Sequence, residues 1–239
     1  MCNGYDGSQE EMLHVAALAA CARGFNVVTF EGPGQPTVIR DQGLTFIDAW
    51  EQVVTPVIDW CESQSQIDDS RIALLGYSFG GWLVARAAVH EHRIAAVICV
   101  DGILDAGDAF LNALPPQLQA AFHGGNADTV NAAVGRMMVA DTNVRWAVEH
   151  GCWAYGCRTP YDLLQRAGSM VLREVIPAIR CPVLVCDADE DAFFKGQPAA
   201  LAQAPGARAT HVVFGADDSA AAHCHVGATH AKHGARLAR

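Results

Sequence analysis

A serine between two glycines is the first feature of this sequence with an evident chemical use. Gly76-Tyr77-Ser78-Phe79-Gly80 matches G-x-S-x-G, which presents a nucleophilic serine on a tight strand-to-helix turn. The two glycines keep that cramped turn free of side-chain collisions. Although glycines also allow plain close packing, the flanking strand and helix patterns favour a nucleophile. We therefore predict that Ser78 attacks a carbonyl carbon, with the Phe79 amide as an oxyanion-hole donor.

An acid is expected after a later strand, because a serine hydroxyl needs a base that a carboxylate orients. The run Asp187-Ala188-Asp189-Glu190-Asp191 offers four carboxylates behind the apolar segment at 182–186. Asp191 is the predicted acid because it lies far enough beyond the strand for a loop to carry it toward a histidine. Asp101, at the end of another predicted strand, is the alternative.

The base is expected near the end of the chain, about nine residues beyond the last predicted strand. His223 is the predicted base and His225 its competitor. Together with His230 and His233 these histidines also raise the question of a metal site. No HExxH helix or supporting cysteine spacing accompanies them, so no metal is predicted.

A second oxyanion donor is expected from the loop Gly4-Tyr5-Asp6-Gly7, and Tyr5 is the candidate. The alternative is a simple glycine turn. It would lead into the helix that a capping box at Ser8 and Glu11 predicts as far as about Arg23.

Five short apolar runs predict the strands that position these residues. Helical patterns near 50–61 and 81–90 alternate with them, which is typical of a parallel sheet. Several short helical patterns fill 102–180 and predict a helical lid insertion. The predicted fold is α/β, a mostly parallel sheet in one domain spanning 1–239. The runs are 25–30, 71–75, 94–100, 182–186 and 210–214.

Composition narrows the partners and the compartment. The net charge of −10 disfavours nucleic acid and anionic membrane surfaces. No stretch approaches the roughly 18 apolar residues of a membrane span, and no secretion signal is apparent. Nine cysteines without a disulfide-like spacing predict a reduced, cytoplasmic setting.

Several stretches together resemble the α/β-hydrolases related to 2,6-dihydroxypseudooxynicotine hydrolase. The resemblance implies a cofactor-free serine triad, with the acid at Asp191 and the base at His223. It also implies a small-molecule substrate, a ketone, ester or amide, bound beneath the helical insertion. The stretches are GYDGSQEEM (4–12), FNVVTFEGPGQ (25–35), VVTPVIDW (53–60), GYSFGG (76–81), VEHGCWAYG (148–156), CPVLVCDADEDAFFKGQ (181–197) and HCHVGA (223–228).

One departure from the family concerns the N-terminal part. Family members have a helical region and three strands before GYDG, whereas this chain starts at that loop, so we expect an N-terminally truncated fold. A missing strand would leave unpaired sheet edges, which favour self-association into a homo-oligomer. The competing hypothesis is a non-catalytic remnant that acts as a binding or assembly partner, and acyl transfer is a further alternative to hydrolysis.

Overall fold

A four-stranded parallel sheet forms the centre of the computed structural model, which describes residues 1–204 and 206–229. His230 and His233 lie outside these residues. The strand order is β1-β2-β3-β4, and every neighbouring pair is parallel. The parallel sheet predicted from the alternating patterns is therefore confirmed. The strands are β1 (Ala73–Tyr77), β2 (Ala96–Val100), β3 (Val183–Ala188) and β4 (Ala209–Phe214).

Ten α-helices occur within the described residues. The short α1 continues a π-helical turn, Leu13–Ala17, so the predicted first helix is present but irregular. Five helices, α5 to α9, lie between β2 and β3, in the segment predicted as a helical insertion. The helices are α1 (Leu18–Cys21), α2 (Pro36–Gln42), α3 (Glu51–Glu62), α4 (Gly80–Ala88), α5 (Ala106–Leu111), α6 (Pro116–His123), α7 (Ala127–Ala140), α8 (Thr142–Tyr155), α9 (Pro160–Gly168) and α10 (Gln197–Gln203).

Helix α4 packs on the sheet and forms the middle of the core. Eight of its nine residues are buried, because its alanines and glycines let the helix approach β1 and β2 closely. Trp82 and Leu83 are among the side chains with almost no exposure. Burial of this kind contributes about 25 cal/mol per Å² of apolar surface, and it fixes the start of α4 relative to the end of β1.

The predicted strand at 25–30 is wrong. Phe25 is exposed, and Phe30 forms only an isolated parallel bridge, with Cys2. Cys2 also bridges Gly76 in β1, so it lies between the two segments. Main-chain bonds from Phe30 N to the Met1 carbonyl and from Met1 N to Val28 do not extend into a ladder, and without one the apolar run does not become a strand.

Candidate active site

Ser78 occupies the turn between β1 and α4 with a positive φ of 56°. The glycines of the motif are required here by sterics. A Cβ on Gly76 would collide with the Gly80 carbonyl, and one on Gly80 would lie 2.8 Å from the carbonyl oxygens of Cys2 and Asn3. The backbone N–H of Ser78 donates to the Val100 carbonyl of β2. The elbow predicted from the motif is therefore present and tied to the neighbouring strand.

The Ser78 hydroxyl lies 2.8 Å from Nε2 of His225. The other ring nitrogen of His225, Nδ1, lies 2.7 Å from Oδ2 of Asp191. A serine, an imidazole and a carboxylate thus form one hydrogen-bonded chain. The structure brings the predicted Ser78 and Asp191 together, but through His225.

The predicted base, His223, does not reach Ser78, and the histidine within hydrogen-bond distance of the hydroxyl is its competitor, His225. The His223 carbonyl accepts a hydrogen bond from the Glu190 amide at 2.9 Å, and its Nε2 lies 3.9 Å from a carboxylate oxygen of Glu190. This bond holds His223 on the Glu190 side of the loop. Val226, with a φ of 57°, turns the chain directly after His225.

Backbone amides hold the Asp191 side chain in place. Its Oδ1 accepts hydrogen bonds from the amides of Phe193 and Phe194, at 2.6 and 2.7 Å, which leaves Oδ2 for His225. Burial disfavours its charge, but the His225 hydrogen bond and these two amides lower the pKa of Asp191. Asp191 is therefore ionised at neutral pH.

The other carboxylates of the same loop are differently engaged or exposed. Asp187 lies 2.9 Å from Nε2 of His211 in β4, as expected for a residue still fixed within β3. Glu190 has a side chain that is 72% exposed. Asp191 is thus the member of this run that lies against His225.

Asp101 is a second carboxylate at the same imidazole, with its Oδ2 2.9 Å from Nδ1 of His225. Asp101, Asp191 and His225 place ligand-type atoms within 4.8 Å of one another, a spacing that also suits a cation. We assign the cluster to hydrogen bonding, because the Nδ1 distances match N–H···O bonds and Nε2 is turned to Ser78. The sequence signal for Asp101 was its position at the end of β2.

The loop that carries Tyr5 packs against the turn that carries Ser78. A Cβ on Gly4 would lie 2.7 Å from the backbone nitrogen of Phe79, so the glycine permits this contact. Within the described residues, the amides of Phe79 and Tyr5 donate to no backbone carbonyl. The Tyr5 side chain is tied to α8, since its hydroxyl donates to the Ala147 carbonyl at 2.5 Å and its own carbonyl lies 2.9 Å from Nε2 of His150.

Gln35 holds the loop that carries Tyr5 in place through hydrogen bonds, a role that the sequence did not predict. It is fully buried, and its Nε2 donates to the carbonyls of Asn3 and Gly4 at 2.5 and 3.2 Å. Its Oε1 accepts from the Gly32 amide at 2.8 Å. A polar residue at the end of the FEGPGQ stretch was the available signal.

Aromatic side chains surround Tyr5. The ring of Trp146 lies 5.8 Å from the Tyr5 ring and that of Phe110 lies 5.9 Å away. Trp146 and Trp153 of α8 are each 40% exposed, whereas Tyr155 is buried in the core. The half-exposed Phe193 ring lies 5.0 Å from the His225 ring.

Comparison with known proteins places these observations in a family. Residues 1–238 match the Alpha/beta hydrolase family. The chain is 31% identical over 201 residues to Hydrolase LUC6 of Fusarium sp, covering 81% of this chain and 48% of that protein. It is 32% identical over 198 residues to the 20-hydroxy-prefusarin hydrolase FUS2 of Gibberella moniliformis, covering 80% and 47%. The chain thus spans about half the length of these relatives.

Solved structures agree on the fold. The 2,6-dihydroxy-pseudo-oxynicotine hydrolase superposes with a TM-score of 0.67 at 20% identity, covering 89% of this chain and 52% of that one. DcsB superposes with a TM-score of 0.65 at 15% identity, covering 99% and 86%. The resemblance stated from the sequence is therefore confirmed, and the chain belongs to the alpha/beta hydrolase family.

Proposed function

We propose that the chain is a serine hydrolase with Ser78 as nucleophile, His225 as general base and Asp191 as the acid that orients the base. The substrate is a small molecule cleaved at an ester, an amide or a carbon–carbon bond next to a carbonyl. The observation that carries this proposal is the hydrogen-bonded chain from Ser78 Oγ through both ring nitrogens of His225 to Asp191, with links of 2.8 and 2.7 Å.

The first half of the reaction forms an acyl-enzyme. Nε2 of neutral His225 takes the hydroxyl proton as Ser78 Oγ bonds to the carbonyl carbon. The amides of Phe79 and Tyr5 stabilise the oxyanion that develops. His225 then gives the proton to the leaving group, and the bond to the leaving group breaks.

The second half releases the acyl group. Nε2 of His225 takes a proton from water, and the oxygen of that water attacks the acyl carbon in the same oxyanion hole. Collapse of this intermediate returns the proton to Ser78 and releases a carboxylic acid. Asp191 keeps Nδ1 protonated and aimed throughout, so Nε2 is the nitrogen that exchanges protons.

The named relatives and the aromatic surface support a small-molecule substrate. The names 20-hydroxy-prefusarin hydrolase and 2,6-dihydroxy-pseudo-oxynicotine hydrolase both refer to small organic molecules. The partly exposed Trp146 and Trp153 of α8, the first of which contacts the Tyr5 ring, offer flat apolar area of the kind that binds such compounds. We propose that the helical insertion at 102–180 acts as the lid over this surface.

A fluorophosphonate probe tests the nucleophile directly. We expect the purified chain to be labelled on Ser78, as located by mass spectrometry, and Ser78→Ala to lose the label. The matched control is Ser65→Ala, at an exposed serine, which should label like the parent. A folded parent that stays unlabelled would refute the proposal and favour the non-catalytic alternative. A profile over p-nitrophenyl esters, peptides and diketones then identifies the bond.

A further inference from the structure

Asp101 is a buried acid that the mechanism above leaves without a role. It follows β2 directly, is 1% exposed, and its Oδ2 accepts a hydrogen bond from the Val226 amide at 3.2 Å. The same oxygen lies 2.9 Å from His225 Nδ1. Nδ1 therefore faces carboxylates from two different strand ends, one after β2 and one after β3.

Two carboxylates at one imidazole change its proton affinity. Burial by itself lowers the pKa of His225, but the hydrogen bonds and charges of Asp101 and Asp191 outweigh this and raise the pKa to about 9. Burial raises the pKa of Asp101, and the His225 hydrogen bond opposes that rise. Of the two acids, Asp191 is thus the one that loses its proton more readily.

We propose that Asp101 is a positioning residue that shares the Nδ1 proton of His225 with Asp191 and, as a second carboxylate at 2.9 Å from that nitrogen, favours the charged form of the ring. The proposal rests on the function proposed above for His225. Its mechanistic consequence is that the neutral, proton-accepting form of His225 becomes more populated as the pH rises.

The remaining titratable groups around the cluster are neutral or farther away. Cys186 of β3 and Tyr77 of β1 flank Asp101. Burial raises the pKa of the Cys186 thiol and of the Tyr77 phenol, so both side chains stay uncharged. On its own loop, His225 follows His223, which faces Glu190. Ser78 and the rings of Phe193 and Phe194 complete the surroundings, so Asp101 and Asp191 are the anions in direct contact with His225.

The test is Asp101→Asn in the full chain, read by two measurements. Asparagine keeps an oxygen for the Val226 amide and removes the charge. We expect the midpoint of the kcat/KM rise with pH to move down by about one unit or more, so that activity at pH 7 increases. We expect the His225 ring nitrogens, followed by NMR in ¹⁵N-histidine protein, to titrate at a correspondingly lower pH.

Asp187→Asn is the matched control, because Asp187 lies near the end of the neighbouring strand β3 but pairs with His211. It should leave the His225 titration unchanged. An unshifted His225 midpoint in Asp101→Asn, or an equal activity loss at every pH, would overturn the proposal. If that variant does not fold, a parent His225 that titrates near 6.5 overturns it equally. The NMR titration needs no turnover, so failure of the hydrolase proposal remains distinguishable.

Discussion

At the scale of single residues, the site depends on which of two nearby histidines turns inward. His223 and His225 both lie in the loop after β4, and local sequence carries no periodicity that separates them. The difference arises from contacts distant in sequence, namely the bond from the Glu190 amide to the His223 carbonyl and the bond from the Val226 amide to Asp101. Ser78, by contrast, was predictable because the glycines next to it in sequence indicate the tight turn that exposes its hydroxyl.

Paired alanine substitutions separate the two histidines. We expect His225→Ala to lower kcat/KM by about 10³-fold or more, because no group remains to take the Ser78 proton. His223→Ala should stay within a few-fold of the parent. Steady-state kinetics and the rate of fluorophosphonate labelling both measure this, and the reverse ranking would contradict the assignment of His225.

At the scale of elements, four of the five apolar runs became strands of the sheet, as predicted, and the run at 25–30 did not. A run predicts a strand only where a partner supplies a ladder. The segment ending at Phe30 meets Cys2 in a single bridge. The same neighbourhood is instead organised by Gln35, whose hydrogen bonds link the start of α2 to the loop before Tyr5.

Gln35→Leu tests whether that link positions the loop at residues 4–7, which carries the proposed oxyanion donor Tyr5. Leucine fills similar space but removes the hydrogen bonds to the Asn3 and Gly4 carbonyls and to the Gly32 amide, so we expect a loss of about 1–3 kcal/mol in the free energy of unfolding. We also expect kcat to fall more than KM rises, because donors to the oxyanion act in the transition state. Gln42→Leu, at the exposed end of the same helix, is the control. Unchanged kcat in the Gln35 variant would contradict the role.

At the scale of the whole molecule, one buried carboxylate joins the end of α4 to α3. Glu91 is 7% exposed and binds the Arg93 guanidinium at 2.6 Å and the Thr55 hydroxyl at 2.8 Å. Arg93 also contacts Asp59 and Glu62 of α3. The Arg93 hydrogen bond is the main cause that lowers the pKa of Glu91 to about 2.

Acid titration of stability tests this junction. A lowered native pKa means that Glu91 stabilises the fold above its unfolded value of 4.5, and that this contribution is lost as the pH falls toward 2. We expect Glu91→Gln to cost about 1–3 kcal/mol at pH 7 and less at pH 3, measured by urea denaturation. Asp68→Asn, at an exposed pair with Arg71, should cost less. An equal Glu91→Gln loss at both pH values would contradict this account.

No helix within residues 1–204 and 206–229 is long and apolar enough to cross a bilayer, and all nine cysteines are unpaired thiols. A reducing compartment stays a prediction. The self-association expected from the sequence concerns the protein surface. Local sequence patterns describe a surface less well than a core, because packing in the core does not restrict the type of residue there.

Ser78 and Val226, the two non-glycine residues with positive φ among those described, stand on either side of the Ser78–His225 contact. Such conformations cost about 1–3 kcal/mol each, and glycine would relieve both. Selection for heat resistance would therefore favour glycine at position 78, which carries the hydroxyl, and at position 226, which orients the His225 imidazole. Thermal robustness and turnover should then evolve in opposition at these sites, and in parallel elsewhere in the sheet.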